Sequence, residues 1–310
     1  MVKTMQQLRA RAFLAGLLAA AIGLGSPNTR AADDPAVPTW REVAPDNLVL
    51  IELRYGTVAV ELASDFAPNH VARMRRLLQK RFYDGLSFYR VIDGFVAQGG
   101  ADQDSSATPD APVNPQLLKD WPPMKAELDA LLPKSDVFTP LGSPDLFAPE
   151  AGFVNGFPVG RDPKDGRSWI IHCPGVFAFA RDNDENTATT EFYIVIGQAP
   201  RRLDRNLTAF GRVIWGMQYL QKLNRGDPEV AMGVIGDLSK RDPIIHMTLA
   251  SDLAEKDRPH YQVLRTDSPA FSAKLNQARH PPTEFYHRQP SSNLDICGVP
   301  IAVRLSANSG

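Results

Sequence analysis

Eight short apolar segments, parted by turns and broken by only two helical patterns, constrain this chain more than any other feature of it. They run over residues 48–53, 58–62, 88–92, 95–99, 176–180, 192–196, 209–214 and 244–249. Tyr55-Gly56 supplies a turn between the first two, which makes them a hairpin. Pro68 suits the first position of a helix, in which Val71, Met74, Leu77 and Leu78 recur on one face while Arg73, Arg75, Arg76 and Lys80 face away. Met217, Leu220 and Leu223 mark a second helix. Successive strands with so few helices favour a sheet closed on itself, so the fold expected is mainly β, a barrel capped by two helices. Two regions stand apart. Residues 101–169 are rich in Pro, Asp and Gly and lack a sustained apolar period; only Met124–Leu132 reads as helical, and a loop this long signals function or an insertion. Residues 255–310 form a polar, proline-rich C-terminal extension that turns apolar again over Cys297–Leu305.

The N-terminus has the form of a secretory signal. Lys3, Arg9 and Arg11 precede an apolar run from Ala12 to Leu24, too short for a comfortable span, and Thr29 and Ala31 place small residues for cleavage after Ala31. An uncleaved membrane anchor is the alternative. The expected organisation is therefore a signal over 1–31, a linker over 32–45, one domain over 46–254 with the insertion at 101–169, and the extension. The expected location is the periplasm, with no stable membrane span after cleavage. A net charge of −1 gives no reason to expect nucleic acid as a partner. The six histidines are scattered without metal-ligand spacing, and neither a phosphate-binding glycine loop nor a G-x-S-x-G elbow is present, so neither metal nor cofactor is expected. Cys173 and Cys297 lie too far apart for CxxC chemistry and could pair in an oxidising compartment. Oligomeric state is left open.

The stretch from Phe88 to Gly100 reads F-x-R-x-I-x-G-F-x-x-Q-G-G and closely resembles the cyclophilin signature. Ala178-Phe-Ala-Arg-Asp182, Thr190-Glu-Phe-Tyr-Ile194, Leu203-Asp204 and Phe210-Gly-Arg-Val213 follow in that family's order. The resemblance covers about residues 48–100 and 176–249. It implies a closed eight-stranded antiparallel barrel with a helix at each end, and peptidyl-prolyl cis/trans isomerase activity on proline-containing segments of unfolded or exported proteins. A binding module with weak turnover is the other reading.

An X-Pro bond turns slowly because rotation breaks amide resonance, at a cost of roughly 18–20 kcal/mol. Catalysis needs only that the twisted amide be favoured over the planar one. In the twisted state the prolyl nitrogen gains a localised lone pair, to which a fixed guanidinium can donate. The resemblance assigns that role to Arg90. It assigns the proline socket to Phe95, Val96, Tyr193 and Leu203, with Leu207 beside them, and gives Gln98 the substrate backbone or Arg90 itself to hold. Arg181 lines the neighbouring groove or remains a solvated surface arginine. Four positions depart from the family: Glu191 stands where an amide is frequent, Arg202 where Trp is frequent, Leu207 where His is frequent, and Tyr193 adds a hydroxyl to a Phe position. A carboxylate at Glu191, near Arg90, could orient it by an ion pair or engage it too tightly and weaken its donation.

Overall fold

The computed structural model describes residues 39–101, 119–282 and 284–306. The expected signal and its cleavage point lie outside them. The segment expected to be a linker instead contributes a strand, β1 (Trp40–Glu42). β2 (Leu48–Leu53) and β3 (Gly56–Leu62) form the hairpin across Arg54-Tyr55. α1 (Pro68–Gln79) follows, then β4 (Ser87–Val91) and β5 (Val96–Gly100). The insertion carries β6 (Ala130–Leu131), β7 (Thr139–Pro140), β8 (Glu150–Val154), β9 (Phe157–Asp162) and β10 (Arg167–Ile170). β11 (Val176–Phe179), β12 (Phe192–Val195) and β13 (Ala209–Trp215) lead to α2 (Met217–Leu220), a single turn where a longer helix was expected. β14 (Asp242–Pro243) and β15 (His246–Leu249) complete the main sheet, and β16 (Tyr261–Leu264), α3 (Pro269–Arg279) and β17 (Val303–Leu305) make up the extension.

Nine strands pair antiparallel in the order β14-β4-β5-β12-β11-β13-β3-β2-β15. This ladder is open, and in that respect the expectation of a closed eight-stranded barrel is corrected. Its two edges are successive pieces of one segment, parted at Ile244-Ile245. The Ile244 N–H donates to the Leu86 carbonyl at 2.7 Å and the Ile245 N–H to the Glu52 carbonyl at 2.9 Å. The first piece thus serves β4 and the second serves β2, without the two pairing with each other.

The strands read as unbroken apolar runs because both faces of the sheet are covered. Ile51, Val60, Phe177, Phe192 and Phe210 point to the inner core together with Met74 and Leu77 of α1. Phe177 and Phe210 bring their rings within 4.8 Å. On the outer face, Val96, Val176, Tyr193 and Val195 join Val154 and Phe157 of the insertion.

The insertion is a second antiparallel sheet, β6-β10-β9-β8-β7, and not a loop. β8 and β9 turn at Asn155-Gly156, both with positive φ (49° and 83°), the geometry that Asn-Gly favours in a two-residue hairpin. Met124–Leu132 is extended where a helix was expected, because its backbone bonds outward: the Ala126 N–H donates to Asn186 and the Glu127 N–H to Thr208. Such contacts override a modest helix propensity. The Glu127 carboxylate in turn accepts from the backbone N–H groups of Asn69 and His70, and so caps α1, which has no cap of its own at Ala67.

β1, β16 and β17 form a three-stranded sheet. Insertion and extension share one core, in which Phe153 meets Phe271 edge-on at 5.0 Å beside Leu141, Ile171 and Leu275. Cys173 and Cys297 are joined there by a disulfide, with Cα atoms 5.1 Å apart.

Candidate active site

β4, β5 and β12 lie side by side, and their registers set Arg90 opposite Gln98 and Gln98 opposite Tyr193. The three side chains therefore form one row across the sheet, at the spacing of adjacent strands. A register shift between Phe88 and Arg90 inserts Tyr89 as an extra residue, which re-aims the strand at this point. The Gln98 amide ties the two neighbours together. Its oxygen accepts from Arg90 Nη1 at 3.1 Å, and its nitrogen donates to the Tyr89 hydroxyl at 2.5 Å. Arg90 Nε donates to the Met232 carbonyl at 2.8 Å. Arg90 Nη2 makes no hydrogen bond among the described residues. Burial lowers the half-buried Arg90 from its usual pKa, with Tyr89 opposing the shift; a guanidinium stays charged regardless.

Phe95 and Val96 enter β5 from the Asp93-Gly94 turn. Leu203 closes a short 3-10 turn from Arg201, and the Leu207 N–H bonds back to the Leu203 carbonyl at 3.2 Å. These four, Tyr193 and Ala180 belong to one apolar cluster on the outer face of the sheet. The residues read from the sequence as a socket are thus brought together, next to the Arg90 row.

One expectation is corrected. Glu191 does not meet Arg90; its carboxylate lies over Gly100, accepting from the Ala101 N–H at 2.9 Å and the Thr190 hydroxyl at 3.1 Å. Gly100 has φ of +147° and no Cβ, and a side chain there would collide with that carboxylate. Arg181 is partly exposed and tethered to a neighbouring turn. Its Nε and Nη2 donate to the Asn206 carbonyl at 3.1 and 2.8 Å, clamping its own loop to the Leu203–Leu207 turn. Arg202 is exposed.

Sequence reasoning missed three participants. Tyr89 shares the Gln98 amide. His172 bonds the Tyr193 hydroxyl through Nε2 at 2.9 Å. Met232 offers its carbonyl to Arg90 from an arch in which Ala231, Met232 and Gly233 all have positive φ (46°, 53° and 86°). Left-handed non-glycine residues cost about 1–3 kcal/mol each and gather at functional sites. Gly233 was the only signal for this arch in the sequence; a lone histidine and a signature tyrosine carried none.

A family model described as cyclophilin type peptidyl-prolyl cis-trans isomerase/CLD matches residues 48–248, which contain the whole row and socket. The chain belongs to the cyclophilin family of peptidyl-prolyl cis/trans isomerases. A cyclophilin of known crystal structure, AquaCyp293 from Hirschia baltica, is 33% identical, with a TM-score of 0.66 over 87% of this chain and 95% of that one. That match reaches beyond the segment covered by the family model. A probable peptidyl-prolyl cis-trans isomerase of Brucella suis is 28% identical over 220 residues, 70% of this chain and 86% of its own length. Peptidyl-prolyl cis-trans isomerase B of Bacillus subtilis is 51% identical over 43 residues, 14% of this chain and 30% of that protein. The cyclophilin fold here is mainly β, with the insertion and extension built onto its outer face.

Proposed function

We propose that this cyclophilin isomerises X-Pro bonds of exported polypeptides, seating the proline ring on Phe95, Val96, Tyr193 and Leu203 and donating from Arg90 Nη2 to the prolyl nitrogen. The observation that carries this reading is the cross-strand row in which Gln98 and the Met232 carbonyl hold two nitrogens of Arg90 and leave the third without a described partner. A donor already oriented before rotation favours the twisted amide without reorganisation in the transition state. Gln98, bonded to both Tyr89 and Arg90, acts on the guanidinium, with the substrate backbone as its second possible partner. Exchange spectroscopy on an Ala-Pro peptide tests the reading. Catalysed exchange between the cis and trans signals is expected; peptide binding with exchange at the spontaneous rate would make the protein a binding module instead.

The setting is part of the proposal. The basic-then-apolar leader supports export, with cleavage after Ala31. No helix among the described residues is long and apolar enough to cross a membrane. N-terminal sequencing of protein from a periplasmic fraction is expected to begin at Ala32. An intact leader on membrane-bound protein would show an anchor.

A further inference from the structure

We infer that the insertion positions the floor of the proline socket through a buried polar chain, Asp145–Arg201–Asp204–His172–Tyr193. The inference rests on Tyr193 being that floor. The chain begins in the insertion, where the Asp145 carboxylate accepts both terminal nitrogens of Arg201, at 2.9 and 3.0 Å. Arg201 Nε donates to Asp204 Oδ2 at 2.6 Å. Asp204 Oδ1 accepts from the His172 backbone N–H at 2.8 Å and lies 3.1 Å from His172 Nδ1. His172 Nε2 then meets the Tyr193 hydroxyl at 2.9 Å. The Arg201, Asp145, Asp204 and His172 side chains are only 12%, 8%, 6% and 0% exposed, so water competes little for any of these bonds.

The chemistry orients every member. A carboxylate only accepts, so His172 Nδ1 carries a proton toward Asp204. In the Nδ1–H tautomer Nε2 is the acceptor for the Tyr193 O–H. Burial, then the Asp204 charge, push the Tyr193 phenol upward from its usual pKa, which keeps the hydroxyl a donor. The consequence is mechanical. A phenyl ring here could rotate about its axis and shift along the socket, whereas the hydroxyl fixes Tyr193 to an imidazole that is itself fixed. Asp145 is held in its own place by the Phe147 and Ala148 N–H groups. His172, Asp204, Arg201 and Asp145 are positioning residues; none touches the reacting bond.

A double-mutant cycle tests this, with kcat/KM for an Ala-Pro peptide and the imidazole 15N shifts of His172 as readouts. Tyr193→Phe and Asp145→Asn are each expected to lower kcat/KM about threefold to tenfold. Asp145→Asn in the Tyr193→Phe background is expected to change it less than twofold, because the final link is already gone. Each single variant should also move the His172 15N shifts, which a contact that merely braces the insertion would leave in place. Arg201→Lys replaces Asp145→Asn if the latter does not fold. Additive losses, or unmoved His172 shifts in folded variants, would overturn the chain. Phe95→Ala separates this from the underlying reading: loss of activity there with no effect of Asp145→Asn removes the chain and keeps the socket, while unchanged activity in both Phe95→Ala and Tyr193→Phe removes the socket itself.

Discussion

Arg90→Ala is expected to lower kcat/KM for an Ala-Pro peptide by at least about tenfold, roughly 1.4 kcal/mol of transition-state stabilisation, with the thermal unfolding midpoint unchanged. The side chain is half-buried and, among the described residues, makes hydrogen bonds only to Gln98 and the Met232 carbonyl, so its removal takes away a donor and little core volume. Arg90→Lys should lie between the two, because an ammonium keeps the charge but cannot hold Gln98, Met232 and the substrate in one rigid fork. Glu191→Gln is the control. Its carboxylate serves Ala101 and Thr190, and the amide oxygen of Gln can still accept from Ala101, so activity should stay within about twofold. Stopped-flow isomerisation at several peptide concentrations checks all three. Full activity in Arg90→Ala would remove Arg90 from the mechanism.

Removing the disulfide should have the largest effect on stability. Cys173 and Cys297 are 124 positions apart, and loop-closure entropy for that separation approaches about 4–5 kcal/mol, of which about 2–5 is usual when a native bridge is lost. The bridge pins the extension to the residue after His172, at the core shared with the insertion. Cys297→Ala, the less buried partner, is therefore expected to lower the unfolding midpoint clearly, and added reductant should lower the parent protein to about the same level while leaving the variant unmoved. Equal midpoints for parent and variant without reductant would show that the shared core alone holds the extension. Isomerase activity at low temperature should survive, since both cysteines belong to the shared core and neither to the row or the socket cluster.

What could be read beforehand divides along physical lines. The main-sheet strands were legible because apolar residues on both faces made each one a continuous run, as in Leu48–Leu53 and Phe192–Val195. The row was legible as far as Arg90 and Gln98, which lie within one contiguous signature. β8 and β9 were not, since Gly152, Pro158 and Gly160 interrupt their alternation, although Asn155-Gly156 between Phe153-Val154 and Phe157 was a hairpin signal that could have found them. Glu191 was misplaced because nothing local says which way a side chain beside Gly100 turns. His172 was invisible as a pocket support: its partners Asp204 and Tyr193 come from separate turns and strands. The division of 242–249 into two edge strands depends on where Leu86 and Glu52 arrive, which is a property of the closed-up chain and not of Ile244-Ile245.

The core shared by insertion and extension also imposes an order on biosynthesis. Phe153 and Ile171 leave the ribosome long before Phe271 and Leu275, the partners that bury them. In a chain that folds as it is made, with the joining cysteines 124 positions apart and elongation at about 5–20 residues per second, the half-built core would wait about 6–25 seconds for its other half. During that interval the face of β8 that carries Ala151 and Phe153 lacks the cover that Leu264, α3 and Ile296 supply later. Contacts so distant in sequence are slow to form even in the finished chain. Half of this core is thus contributed by residues that any vectorial process, synthesis or export, delivers last.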